Sequence, residues 1–184
     1  MFRTIIILIM FIFTSTAYSS TKARIISQMK LTNNLSFNFI QTINNKRENG
    51  KCIISYPKKI FCQYDGPNKK IIVSNGKSLV IKIINSGSYY RYPLNKTPLE
   101  FLLNKEYLIS KISDLEPRDI ENKYINFRIF EKNNEINIFF DNKNSNLVGW
   151  QTEDIYQNLS ITFISSVKKN QKIDNKIFLL PAYN

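Results

Sequence analysis

Residues 50–77 read GKCIISYPKKIFCQYDGPNKKIIVSNGK, and their punctuation decides the fold class. Three short runs rich in Ile, Val, Tyr and Phe are separated by Tyr-Pro-Lys-Lys, Asp-Gly-Pro-Asn and Ser-Asn-Gly-Lys. Each separator is turn chemistry: Pro57 and Pro67 fix φ, while Gly66 and Gly76 tolerate positive φ. The stretch is a β-meander. Its marks also have an order: a glycine opens the first strand, a proline closes it, an aromatic residue leads into Asp-Gly-Pro, and the last strand ends Val73-Ser74-Asn75-Gly76-Lys77.

Working outward, residues 35–43 alternate, with Leu35, Phe37, Phe39 and Gln41 on one side and Ser36, Asn38 and Ile40 on the other. That is a strand with one apolar face. Residues 21–30 place Ile25, Ile26 and Met29 on one face of a short amphipathic helix. After the meander, strands are expected at 78–84 and 88–92, joined by Asn85-Ser86-Gly87. The alternation breaks at 98–104, which suits a short helix with Thr97 as its cap and Pro98 in its first turn. Residues 107–122 carry no assignable pattern. Strands resume at 124–131, 135–140, 147–152 and 158–167, and the fold ends at 177–180. No linker, repeat or charge block divides the chain. The expected fold is mainly β with a few helices: one strongly curved, unclosed antiparallel half-barrel with helices over its concave apolar face.

The N-terminus reads differently from the rest. Arg3 precedes an unbroken apolar run from Ile5 to Phe13, and Ala17-Tyr18-Ser19 offers an A-x-S-like cleavage site. This describes a secretory signal peptide over 1–19, followed by a single domain over 20–184. The run is much shorter than the ~20 residues of a spanning helix. A lipid-modified exported protein needs a cysteine just after such a run, but the first cysteine is Cys52. The mature chain is therefore expected to be exported and not itself lipidated.

Composition narrows the chemistry. A net charge of +12 invites nucleic acid as a partner, yet the lysines are scattered and no nucleic-acid motif accompanies them. Abundant Lys, Asn and Ile with scarce Arg fit an A/T-biased genome instead. Nucleic-acid binding is not expected, although a basic carrier can still be steered toward acidic surfaces. The chain has no histidine, which removes His-based nucleophile triads and the commonest metal ligand. Two cysteines outside any C-x-x-C pair cannot form a structural zinc set. Neither an enzyme nor a cofactor is expected.

The marks of the meander resemble those of the LolA family, periplasmic carriers of lipoproteins from the inner to the outer membrane. The family pattern is G-x-hydrophobic-x-hydrophobic-x-R-P, an aromatic strand, P, and a strand ending S/A-D/N-G-K. Further on, Pro93-Leu94-Asn95-Lys96-Thr97-Pro98-Leu99 resembles the family's P-L-x-x-T-P-L before a lid helix. Leu147-Val148-Gly149-Trp150-Gln151 with Asp154 is similar to the L-x-G-W-x-x-x-D of alphaproteobacterial members, and residues 173–178 to the closing L-D-x-x-L-F. Five marks in order cover most of the chain after residue 20. There is one departure: the family's arginine before the first proline is Tyr56 here, which donates a single hydrogen bond and lacks the guanidinium fork.

The resemblance turns core positions into cavity positions. Phe37 and Phe39 on the first strand, Ile54 and Tyr56 on the second, and Ile60, Cys62 and Tyr64 on the third would form an acyl-chain wall. Ile26, Met29, Leu99, Leu102 and Leu103 would form the lid. Periodicity alone makes all of these plain core. The implied partners are triacylated lipoproteins, an inner-membrane lipoprotein-releasing ABC transporter and an outer-membrane acceptor, with the carrier a monomer in the periplasm. The rivals are a binder of other lipids or glycolipids, and a sensor or interaction module of the same fold.

Cys52 and Cys62 lie on adjacent strands in an oxidising compartment, which favours a disulfide. A turn at 57–59 would place Tyr56 opposite Ile60 and Ile54 opposite Cys62, leaving the cysteines as diagonal neighbours, stretched for a bond. Both states stay open from sequence.

Overall fold

The computed structural model describes residues 20–131, 134–154 and 157–183, so the segment read as a signal peptide lies outside the described residues. Helix α1 (Thr21–Leu31) precedes a run of six strands: β1 (Asn34–Ile43), β2 (Lys46–Ser55), β3 (Lys59–Tyr64), β4 (Lys70–Asn75), β5 (Ser78–Ile83) and β6 (Ser88–Pro93). Helices α2 (Leu99–Leu102) and α3 (Lys105–Asp114) follow. Then come β7 (Arg118–Ile120), β8 (Tyr124–Glu131), β9 (Asn134–Asp141), β10 (Leu147–Glu153) and β11 (Leu159–Lys169).

The strands form one antiparallel sheet in the order β6-β5-β4-β3-β2-β1-β11-β10-β9-β8-β7. Two meanders meet where β1 pairs with β11, and β6 and β7 are left as unjoined edges. The expected half-barrel is therefore the observed one. Its three helices lie over one face, and the main core sits between them and the sheet.

Local chemistry accounts for the helices. Ser20 caps α1 by accepting the Ala23 N–H at 3.2 Å, and Ile25 is its fully buried residue. The unassigned stretch 107–122 is half α3, and its second half holds the short strand β7. Asn104 caps that helix through Tyr107 N–H at 3.2 Å, and Leu108 and Ile112, four residues apart, turn inward. The capping expected at α2 is corrected. Thr97 Oγ1 donates back to the Leu94 carbonyl at 2.8 Å, and Pro98 itself occupies the N-cap position. The end of the fold is a 3-10 turn, Asn175–Phe178.

Two motif glycines are explained by close approach of backbones. A Cβ on Gly50 would stand 2.2 Å from the Gln63 carbonyl oxygen and 2.9 Å from Tyr64 Cα. One on Gly149 would stand 2.3 Å from the Thr162 carbonyl oxygen. At both points neighbouring strands come too near for any side chain.

The face of the sheet away from the helices has a smaller core of its own. Val73 and Val80, paired across β4 and β5, are buried together with Phe178 of the C-terminal turn. Lys82 Nζ donates to the Ala182 carbonyl at 2.9 Å, and the Tyr89 and Tyr183 rings meet edge to face. The C-terminal segment thus straps the outside of the N-terminal meander.

Candidate functional site

The strand parity read from sequence places Phe37, Phe39, Ile54, Ile60 and Tyr64 on the helix-facing side, all buried. The register of the second hairpin is corrected. Ser55 pairs with Lys59, Ile54 with Ile60, and Cys52 directly with Cys62. The turn occupies 56–58 rather than 57–59, because Lys58 takes positive φ (65°) and closes it one residue early. Direct opposition sets the two Cα atoms 4.1 Å apart, and the cysteines form a disulfide within the wall.

Against this wall lie the lid helices. Leu103 is fully buried and Leu102 nearly so, while Met29, Tyr56 and Leu99 are partly buried against the same cluster. Beneath them is a cavity of about 50 Å³ that touches Met29, Ile54, Tyr56, Ile60, Leu102 and Leu103. Beside it opens a second, of about 320 Å³, bounded by Phe39, Cys62, Tyr64 and Leu99 among others. Ile60, Leu99 and Trp150 line both, so the two are parts of one groove. Two expected site residues stand aside from it. Phe37 packs edge to face on Trp150, ring centroids 6.1 Å apart, and Ile26 packs against the core without lining either cavity.

The C-terminal half supplies wall that sequence reasoning did not nominate. Trp150, Leu108, Ile138, Phe140 and Leu147 border the smaller cavity. The signal for the strand residues was present, since β9 alternates and Trp150 sits in a quoted motif. What was missing was evidence that β9 and β10 face the same groove as β3.

A few polar contacts fasten the lid. The Lys58 N–H donates to the Leu103 carbonyl at 2.8 Å, and its Nζ meets Glu100 Oε1 at 2.6 Å. One residue in the hairpin turn thereby grips both ends of α2. Tyr56, in the family's arginine position, plays another part: its N–H donates to the Asn33 carbonyl at 3.0 Å and its ring lies 5.9 Å from Lys105 Nζ. Lys105 is buried and donates to the Thr32 and Lys30 carbonyls at 3.0 and 3.3 Å, a cation at the C-terminus of α1. Lys169 Nζ holds Gln28 Oε1 of α1 at 2.9 Å, and its burial pushes its pKa below the usual lysine value.

Burial moves the pKa values of two groove phenols and of Tyr107 beside them. Burial pushes Tyr56 up to about 12, with Glu106 adding to the effect. Burial, then the nearby Glu48 charge, raises Tyr64 further. Tyr107 is also raised, by desolvation first and then by the hydrogen bond its hydroxyl gives Glu131 at 3.0 Å. Among the described residues no three or more His, Cys, Asp or Glu side chains cluster to hold a metal.

An unclosed sheet with an apolar groove under a helical lid is the architecture of lipoprotein carriers and lipid binders. The family model for outer membrane lipoprotein carrier protein LolA matches residues 30–180, and the chain belongs to that family. Its members are periplasmic, and its carriers are generally non-enzymatic. The wall disulfide accords with export. Among solved structures, an uncharacterized conserved protein of Thermus thermophilus is 6% identical, with 87% of this chain and 92% of that one covered at a TM-score of 0.52. A LolA superfamily protein of Nitrosomonas europaea is 10% identical over 88% of this chain and 96% of that one, with a TM-score of 0.46. No curated protein matches the chain.

Proposed function

We propose that the chain, after removal of residues 1–19, acts as a monomeric periplasmic carrier. It takes the acyl chains of triacylated lipoproteins released by an inner-membrane ABC transporter and hands them to an outer-membrane acceptor. The reading is carried by one observation: an apolar groove on the concave face is open over about 320 Å³ and covered elsewhere by the lid's own leucines. Family membership supports it. The acyl-contact residues are Ile54, Tyr56, Ile60, Cys62, Tyr64 and Phe39 on the wall, with Phe37 behind them. Met29, Leu99, Leu102 and Leu103 on the lid are displaced when cargo enters, with Ile26 beside them.

The energetics explain why such a device needs no fuel of its own. Each methylene exposed to water costs about 0.8 kcal/mol, so three long chains cost on the order of 35 kcal/mol uncovered. A groove that met all of this would never release its cargo. Here the lid competes for the same surface, and its closure lowers the net affinity. The space directly beneath Leu102 and Leu103 is only about 50 Å³, too little for an acyl chain, so a chain that runs under the lid displaces it from β2 and β3.

Expression of the full chain in a Gram-negative host with a tagged lipoprotein, followed by co-purification and mass spectrometry of the bound material, tests this. Recovery of triacylated lipoprotein, lost in Leu102→Glu or Ile60→Glu, is expected. Recovery of free lipid or glycolipid alone, or of protein without any lipid, would overturn it.

A further inference from the structure

The larger cavity is not uniformly apolar. One part of its wall carries Tyr64, Gln41, Ser160 and Thr162, contributed by β3, β1 and β11. The Tyr64 hydroxyl meets Gln41 Oε1 at 2.7 Å, and Gln41 Nε2 meets Ser160 Oγ at 3.1 Å and Thr162 Oγ1 at 3.3 Å. Tyr64, Ser160 and Thr162 are all buried. Among the described residues these four side chains make no other hydrogen bonds.

Counting protons shows what the cluster lacks. The phenol and each hydroxyl bring one donor and the amide brings two, five in all. Three contacts consume three of them, whichever way the amide is turned. Two buried donors therefore remain, and with Tyr64 donating to Gln41 they are the hydroxyl hydrogens of Ser160 and Thr162. A donor that lines this cavity can otherwise be met only by water, so the site favours an occupant that brings an acceptor and displaces that water without losing its hydrogen bond.

The surroundings select the acceptor. Glu153 and Asp154 line the same cavity and disfavour a carboxylate or phosphate, while Lys70, the cation on that wall, is already paired with Glu48 and stacked on the Tyr64 ring. A neutral carbonyl oxygen fits. Beyond the cluster the wall is Phe39, Ile60, Leu79 and Trp150, continuous through Ile60, Leu99 and Trp150 with the space under the lid. We infer that Ser160 and Thr162 bind the ester or amide carbonyl of an acyl group, whose hydrocarbon chain then runs from them toward the lid. The inference rests on the carrier reading and gives it a polar register point. Gln41 is a positioning residue that holds both hydroxyls in place.

The test compares 1-monopalmitoylglycerol with 1-O-hexadecylglycerol, which has the same chain and glycerol but an ether in place of the ester carbonyl. Both are titrated as competitors of a fluorescent apolar probe bound to the full chain. One or two neutral hydrogen bonds, at about 1 kcal/mol each, should make the ester compete about five- to thirtyfold better. In Ser160→Ala/Thr162→Val the preference should vanish while ether affinity stays at its wild-type value. The carbonyl stretch of 13C-labelled ester should shift to lower frequency on wild type and not on the variant. Equal competition on the wild type, or a preference that survives in the variant, overturns the inference and leaves the carrier reading standing. Failure of both compounds to displace the probe overturns the two together.

Discussion

Leu103→Ala separates a lid residue from a core residue. Leu103 is fully buried, ends α2 and lines the smaller cavity, so truncation enlarges a space already present. Buried Leu→Ala changes cost about 2.7–5.0 kcal/mol, and a site next to an existing cavity relaxes little, so at least about 3 kcal/mol is expected. In an ordinary core this loss would weaken everything the fold does. If Leu103 plugs a groove that cargo must enter, the same contacts are lost when cargo binds, so removing them lowers the cost of opening. Even if only half of the 3 kcal/mol belongs to lid closure, acyl-ligand affinity should rise about tenfold. Urea unfolding and fluorescence titration with the same monoacyl ligand give the two numbers. Stability down with affinity up is the expected pair. Stability down with affinity unchanged or lower would refute the idea that the lid and cargo compete for one surface.

Other outcomes follow from the same geometry. Replacing Cys52 and Cys62 together by Ala should cost about 2–3 kcal/mol in denaturant, the loop-closure value for a separation of 10 residues; a loss below 0.5 kcal/mol would mean the hairpin is held without it. Gly50→Ala forces a Cβ into the Gln63 carbonyl and should cost about 3 kcal/mol or more, seen as a fall in melting temperature and soluble yield, while Gly66→Ala meets no clash but keeps the backbone strain of a φ of +103° and should cost about 1–2 kcal/mol. Lys58→Met removes the ion pair to Glu100 but keeps the backbone bond to Leu103, so ligand affinity should rise only about twofold to fivefold, and an effect as large as that of Leu103→Ala would contradict the ranking. Finally, Tyr56 keeps its proton up to about pH 12 when folded but ionises near 10 when unfolded. Its contribution is therefore complete below pH 10 and is lost as pH rises toward 12. Tyr56→Phe should make the fall in stability across that window shallower, Tyr64 and Tyr107 supplying the rest, and an unchanged alkaline limb would remove Tyr56 as a source.

Much of the fold is legible because its signals are local. Alternation in 35–43 and turn chemistry at Gly66 and Gly76 report a residue's own environment, and the observed strands and positive φ values follow them. Side-chain parity is equally local, which is why Phe39, Ile54, Ile60 and Tyr64 are assignable to one face before any strand is paired. Helix α3 escapes such a reading because its cap, Asn104, and its apolar pair, Leu108 and Ile112, are spread over a polar decapeptide whose helicity depends on packing.

Register, in contrast, is decided by one turn residue. Positive φ at Lys58 moves the pairing by two positions and brings Cys52 opposite Cys62, a difference that composition and spacing leave open. Which apolar side chains share a cavity is likewise a property of the assembled sheet. Val73 and Val80 look as suited to a greasy wall as Ile60 does, yet they lie under Phe178 on the other face, while Trp150 and Phe140 join the groove from the distant C-terminal meander. The sequence by itself determined the strands other than β7, their two faces and the family. Only the tertiary structure decided where the lid is fastened, that the two cysteines meet and which polar side chains share the groove, because each depends on contacts between segments that no local rule of propensity or alternation can place.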